Sequence, residues 1–155
     1  MTTGNHRAGV LVLGVGRGDR GDDAAGPAVA ERAMELVPDV TVVPRVEPAG
    51  LIDAWADAGL VVVTDAVRSG QPPGTVHVLH ARHGPLPVRT GAGGTHGLGL
   101  AEVIELGRAL DRLPPELVIV GVEAEQFGLG EPMSAQVRTG IELAAQAVAE
   151  VIRTG

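Results

Sequence analysis

The sequence predicts an α/β protein: a three-layer α/β/α sandwich around a mostly parallel sheet of about five strands. Two patterns carry that expectation. Short runs of Val, Leu and Ile recur along the chain, and segments of helical period stand between them on short connections. Length is the third observation, since 155 residues make one domain with room for a real core. Residues 1–155 are therefore read as a single domain, with 1–8 as a flexible N-terminal tail.

Residues 9–15, Gly-Val-Leu-Val-Leu-Gly-Val, form a continuous apolar run ending at Gly16, as a strand buried on both faces does. A Gly- and Asp-rich loop, 16–23, follows. Val29, Ala30, Ala33, Met34 and Val37 then recur at helical spacing. Pro27 is tolerated only in a first turn, so this helix starts between about 23 and 27. Residues 40–46 read as a second strand, and Pro44 assigns it to an edge or a strand end. Leu51 to Ala58 is a short amphipathic helix, and 60–64 is a third strand with Asp65 at its end.

After a turn at 68–74, residues 75–80 alternate as a fourth strand, with His77 facing solvent. A Pro/Gly-rich stretch leads to a helix from about His96 to Leu110. Within that stretch, 91–95 (Gly-Ala-Gly-Gly-Thr) is expected to be mobile, because glycine is ordered at the highest entropic cost. A fifth strand spans 116–122. The last helix, 133–153, lines up Val137, Ile141, Ala144, Val148 and Val151 on one face.

Composition removes several chemistries. Net charge is −7, the 12 basic residues are all Arg, and they are scattered, so the chain has no footprint for nucleic acid or an anionic membrane. Without Cys there is no thiol nucleophile or thiolate metal site, and the absence is compatible with the cytosol. Without Lys there is no Schiff base or P-loop lysine, and without Tyr no phenolic acid. Neither Ser69 nor Ser134 sits in a G-x-S-x-G elbow. Met1 to Arg7 lacks the apolar stretch of a signal peptide, and no apolar run reaches membrane-spanning length. A cytoplasmic protein without membrane insertion is expected. Carboxylates, His, Arg, Thr, backbone groups or a metal remain as chemical means.

In open α/β sheets, ligands collect beyond the carboxyl ends of the strands. The first strand delivers Asp19, Asp22 and Asp23 there, the second Glu47, the third Asp65, and the fifth Glu123 and Glu125. His96 opens the helix after the glycine segment. Carboxylates with one imidazole suit a borderline divalent ion such as nickel or zinc. Each residue also has a structural reading. Position assigns one of Asp22 and Asp23 to capping the following helix, Asp65 serves equally as an Asx turn residue, and His96 as a helix-start residue. His77, His80 and His83 are not grouped as a site, because their spacing would need a helix that Pro85 and Pro87 discourage. The loop Gly14-Val-Gly-Arg-Gly-Asp-Arg-Gly21 invites a dinucleotide reading, but Asp19, Asp22 and Asp23 would repel a pyrophosphate.

Several segments together resemble the hydrogenase maturation proteases. They are Gly14-Val15-Gly16 with Gly21-Asp22-Asp23-Ala24-Ala25-Gly26-Pro27, then Val63-Thr64-Asp65-Ala66-Val67, then Thr95-His96-Gly97-Leu98-Gly99-Leu100. Val120-Gly121-Val122-Glu123 through Gly128-Leu129-Gly130, and Met133-Ser134-Ala135-Gln136-Val137, complete the series. The resemblance spans about Val10 to Ile152. It implies a metal-dependent endopeptidase that removes the C-terminal extension of a nickel–iron hydrogenase large-subunit precursor after nickel insertion. Asp23, Asp65 and His96 match the family's ligand positions, and the nickel they contact is carried by the precursor. Glu47 and Glu123 are the remaining candidates for a general base. Two departures stand out: Arg17 where the family commonly has Asn, and polar Gly18-Asp19-Arg20 where it is usually apolar. Alternatives from other classes are a non-catalytic nickel-binding chaperone and a small nucleotide-binding protein.

Overall fold

The computed structural model describes residues 9–16, 21–90, 99–125 and 132–155. Its strands are β1 (Val10–Gly14), β2 (Thr41–Val43), β3 (Leu60–Arg68), β4 (Val76–His80), β5 (Arg89–Thr90) and β6 (Glu116–Glu123). Its helices are α1 (Ala25–Leu36), α2 (Leu51–Ala54), α3 (Leu100–Ala109) and α4 (Ala135–Thr154). The sheet runs β2-β1-β3-β6-β4, and β5 joins the far end of β3. β1 pairs in parallel with β2 and β3, and β3 with β6, whereas β4 and β5 pair antiparallel.

Side chains alternate across a strand, so each buried strand feeds two cores. Val12, Val62, Val118 and Val120 face α1 and α4, packing on Val29, Ala33, Val137, Ala144 and Val148. Leu13, Val61, Val63, Leu117 and Ile119 face the other way, against Leu51, Trp55, Leu100, Val103 and Ile104 of α2 and α3. The three-layer α/β sandwich and its mostly parallel sheet are as expected from sequence. Pro44 follows the last residue of β2, an edge strand, where its missing N–H is harmless. No helix among the described residues is long and apolar enough to cross a membrane.

Several boundaries differ. β3 does not stop before Asp65 but continues through Arg68, because β6 pairs with it as far as Val67. α2 ends at Ala54 rather than Ala58. Trp55 leaves helical geometry with ψ 10° and donates its indole N–H to the Arg112 carbonyl at 2.8 Å. α3 begins at Leu100, not at His96. Gly99 is extended (φ −87°, ψ 174°), and Glu102 accepts its N–H at 2.8 Å, closing the first turn there. Residues 1–8 and 91–95, the expected flexible tail and mobile stretch, lie outside the described residues.

Candidate active site

At the carboxyl end of β1, main-chain contacts lead the chain into an acidic turn. The Val15 N–H donates to the Thr64 carbonyl at 2.8 Å, and the Thr64 hydroxyl donates to the Gly26 carbonyl at 2.7 Å. Backbone packs on backbone here. A Cβ on Gly26 would lie 1.9 Å from the Val15 oxygen, and one on Gly16 would lie 2.1 Å from the Asp23 oxygen. Gly16 also has φ +147°, where a side chain is strained. Residues Gly21–Ala24 form a 3-10 turn that buries both Asp22 and Asp23.

Neither acid occupies the N-cap position of α1, contrary to the sequence reading for one of them. Ala24 occupies the N-cap in helical geometry (φ −76°, ψ −5°) with no side-chain cap bond. The turn runs directly into the helix, so no extended residue is placed to reach back. Asp22 instead spans the chain. Its Oδ1 accepts the Ser134 N–H at 2.7 Å, and its Oδ2 accepts the Glu125 N–H at 2.7 Å and the Ser134 hydroxyl at 3.2 Å. The end of β6 and the start of α4 are thereby tied to the turn that carries Asp23.

Asp65 lies within β3, only 1% exposed, and accepts the Ala66 N–H at 2.8 Å. Burial pushes its carboxyl well above the usual carboxylate range, and the charge of Asp23 pushes the same way; the Ala66 bond opposes them without prevailing. The structure thus brings Asp23 and Asp65 together as two nearly sealed acids that repel one another. His96 lies outside the described residues, as do Arg17 and Asp19. Glu47 and Glu125 are exposed. His80 and His83 are exposed with ring centres 6.5 Å apart, and among the described residues no three His, Asp or Glu are grouped to hold an ion.

His77 was misread from sequence, and Glu123, at the end of β6 as expected, has partners the sequence did not show. His77 does not face solvent; its side chain is 15% exposed, and its Nε2 lies 2.9 Å from Glu123 Oε1. The exposed residues of β4 are Val78 and His80, while Leu79, on the same face as His77, packs towards the α2/α3 core. Glu123 also accepts the Ser69 N–H at 2.8 Å and the Ser69 hydroxyl at 2.6 Å. Burial alone would raise this carboxyl, but the Ser69 and His77 bonds outweigh it and hold the carboxyl below its ordinary value. Ser69, His77 and Glu123 are not a nucleophilic triad. A triad uses the two ring nitrogens separately, whereas here one nitrogen meets Glu123 at 2.9 Å and lies 3.5 Å from the Ser69 hydroxyl, which itself donates to Glu123. This cluster, and the Asp22 brace, had no local sequence signal because their partners are distant in the chain.

A rim carrying two repelling acids suits a cation and disfavours a phosphate. Known proteins share both the sequence pattern and the fold. The family of HycI, described as hydrogenase maturation protease, matches residues 32–151. The hydrogenase expression/formation protein HupD of Bradyrhizobium diazoefficiens is 31% identical over 161 residues, covering 97% of this chain and 83% of that protein. Among solved structures, the hydrogenase maturating endopeptidase HybD from Escherichia coli superposes with a TM-score of 0.73 at 26% identity, covering 94% of this chain and 92% of that one. The [NiFe] hydrogenase maturation protease HycI from Thermococcus kodakarensis gives 0.69 at 31% identity, covering 93% and 92%. Fold, length and matched segments agree, and the chain belongs to the hydrogenase maturation protease family.

Proposed function

We propose that the protein is an endopeptidase that removes the C-terminal extension of a nickel–iron hydrogenase large-subunit precursor once nickel has been inserted, and that it does so in the cytoplasm. Asp23, Asp65 and His96 contact the nickel, which arrives with the precursor as part of the substrate. The observation that carries this reading is Asp65 beside Asp23: burial first, and then the charge of Asp23, raise the Asp65 carboxyl, and among the described residues only the Ala66 N–H donates to it. An acid in that state gains most from a partner that brings positive charge.

The chain's own groups narrow the chemistry. Both serine hydroxyls are engaged with carboxylates, Ser69 with Glu123 and Ser134 with Asp22, so neither stands ready as a nucleophile. Glu123 is committed to Ser69 and His77, which removes it as a candidate general base. Hydrolysis then relies on holding the scissile bond and a water together at the rim, where proximity supplies much of the rate. A divalent ion bound there would polarise the scissile carbonyl or acidify the water.

The test compares nickel-loaded with nickel-free precursor, each incubated with chelator-treated protein and weighed by mass spectrometry. Loss of the tail mass from the nickel-loaded form alone is the expected result. Equal cleavage of both would end the role of nickel as a recognition handle. Stable binding of loaded precursor without cleavage would instead assign the chain to the chaperone class.

A further inference from the structure

β1 stays paired with β3 only as far as Thr64, and β5 takes over the edge that β1 leaves, setting Val67 opposite Thr90 and Arg68 opposite Arg89. Directly opposed residues of an antiparallel pair share a face with their Cβ atoms about 5 Å apart. Two guanidinium side chains therefore rise side by side in a chain of net charge −7. Like charges so placed weaken a strand pair, and this one is only two residues long. An open groove of about 570 Å³ adjoins them, lined by Arg68, Ser69, Gly70, Leu86, Pro87, Val88 and Arg89. No described acid lines it, and Arg89 is exposed and makes no ion pair among the described residues. Ser69 has turned both its N–H and its hydroxyl towards Glu123, which leaves the Arg89 guanidinium as a charged donor of the wall.

We infer that this groove is a subsite for a carboxylate of the departing tail, held by Arg89 with Arg68 beside it, while Leu86, Pro87 and Val88 receive apolar parts of the same peptide. The inference rests on the proposed cleavage of a C-terminal extension. The planar guanidinium of Arg89 matches a carboxylate with paired, charge-assisted hydrogen bonds. Position sets a reach. Arg68 is three residues past Asp65, roughly 10 Å along the strand. The odd step also turns it to the opposite face of the sheet, so the peptide must cross the rim. The recognised carboxylate accordingly lies at least about three residues beyond the scissile bond. It is the terminal α-carboxylate or an acidic side chain.

The test uses the full chain, its Arg89→Glu and Arg89→Gln variants, and nickel-loaded precursor in three forms. One has the natural tail, one has the tail acids changed to Asn or Gln, and one carries added Gly-Ser residues that move the α-carboxylate away. Arg89→Glu should raise KM for the natural tail roughly tenfold, with kcat within about twofold. The form of tail that erases this difference identifies which carboxylate is held. Arg89→Gln should give a smaller rise in the same direction and covers the case in which the reversed charge fails to fold. Wild-type KM in a folded Arg89 variant, or the same rise for all three tails, would overturn the subsite. Labelled tail peptides, with and without their carboxylates, read the groove independently of cleavage. Carboxylate-dependent binding that Arg89→Glu abolishes supports the subsite even if no precursor is cut, in which case it is the endopeptidase reading that falls. Binding indifferent to the carboxylates overturns it.

Discussion

Asp65 and Glu123 stand on neighbouring strands, Asp65 opposite Gly121 and Glu123 opposite Val67, and both are nearly sealed from water, at 1% and 2% exposure. Burial penalises the charge of each, yet their carboxyls move in opposite directions. Glu123 is met by Ser69 twice and by His77, and falls below its ordinary value. Asp65 is met by Ala66 alone among the described residues, faces the charge of Asp23, and rises. Depth therefore does not set the direction in which a buried carboxyl moves; the supply of donors and the neighbouring charge do.

Asp65→Asn is the sharpest way to break the contrast. The amide oxygen can still accept the Ala66 N–H, so the fold should persist while the charge is lost. Losing even an outer-shell partner of a metal site costs about 10–100-fold, so cleavage should fall by roughly 100-fold or more. Stability should move the other way. With its folded value raised, wild-type Asp65 keeps its proton after the unfolded chain has lost it, and stability declines as pH rises from the ordinary carboxylate range towards that raised value. The variant should consequently melt higher than wild type near neutral pH, with the gain vanishing in acid. Normal cleavage by a folded Asp65→Asn protein would return Asp65 to a structural role.

Glu123→Ala tests the other half. It strands the Ser69 N–H and the His77 ring, which should cost about 2–3 kcal/mol by denaturant unfolding near neutral pH. Because Glu123 is lowered in the fold, its contribution is present above the unfolded value and lost as pH falls through the folded one. Wild type and variant should draw together in acid, as they do for Asp65, but here the variant is the less stable of the two near neutral pH. His77→Ala should have the smallest effect, about 1 kcal/mol, with cleavage of precursor unchanged. A large loss of cleavage would move His77 into the reaction.

Much of the fold was legible because strands buried on both faces announce themselves as unbroken apolar runs, as at 60–64 and 116–122. The extension of β3 was not, since Thr64 and Asp65 interrupt the run and only pairing with β6 and β5 reveals that the strand continues. Two residues of β5 are too few for any period. At the rim, the acids of the first and third strands could be named from position and family resemblance, and the charge of Asp23 is felt at Asp65. The task of Asp22 was hidden, because Ser134 and Glu125, which donate to it, lie more than a hundred residues on. For His77 the alternation of β4 was seen but its phase inverted, because Leu79 rather than Val78 turns inward.

Gly16 and Gly26 have a consequence for how such a protein diversifies. Each stands where a Cβ would strike a neighbouring carbonyl, so the turn presenting Asp23 is hung from peptide groups on both sides of positions 17–20. A mounting made of main chain depends on its own peptide groups rather than on side-chain identity. Transplanting those four positions between relatives should change which precursor is admitted and leave the cutting machinery as it was, so that the two properties drift on separate clocks.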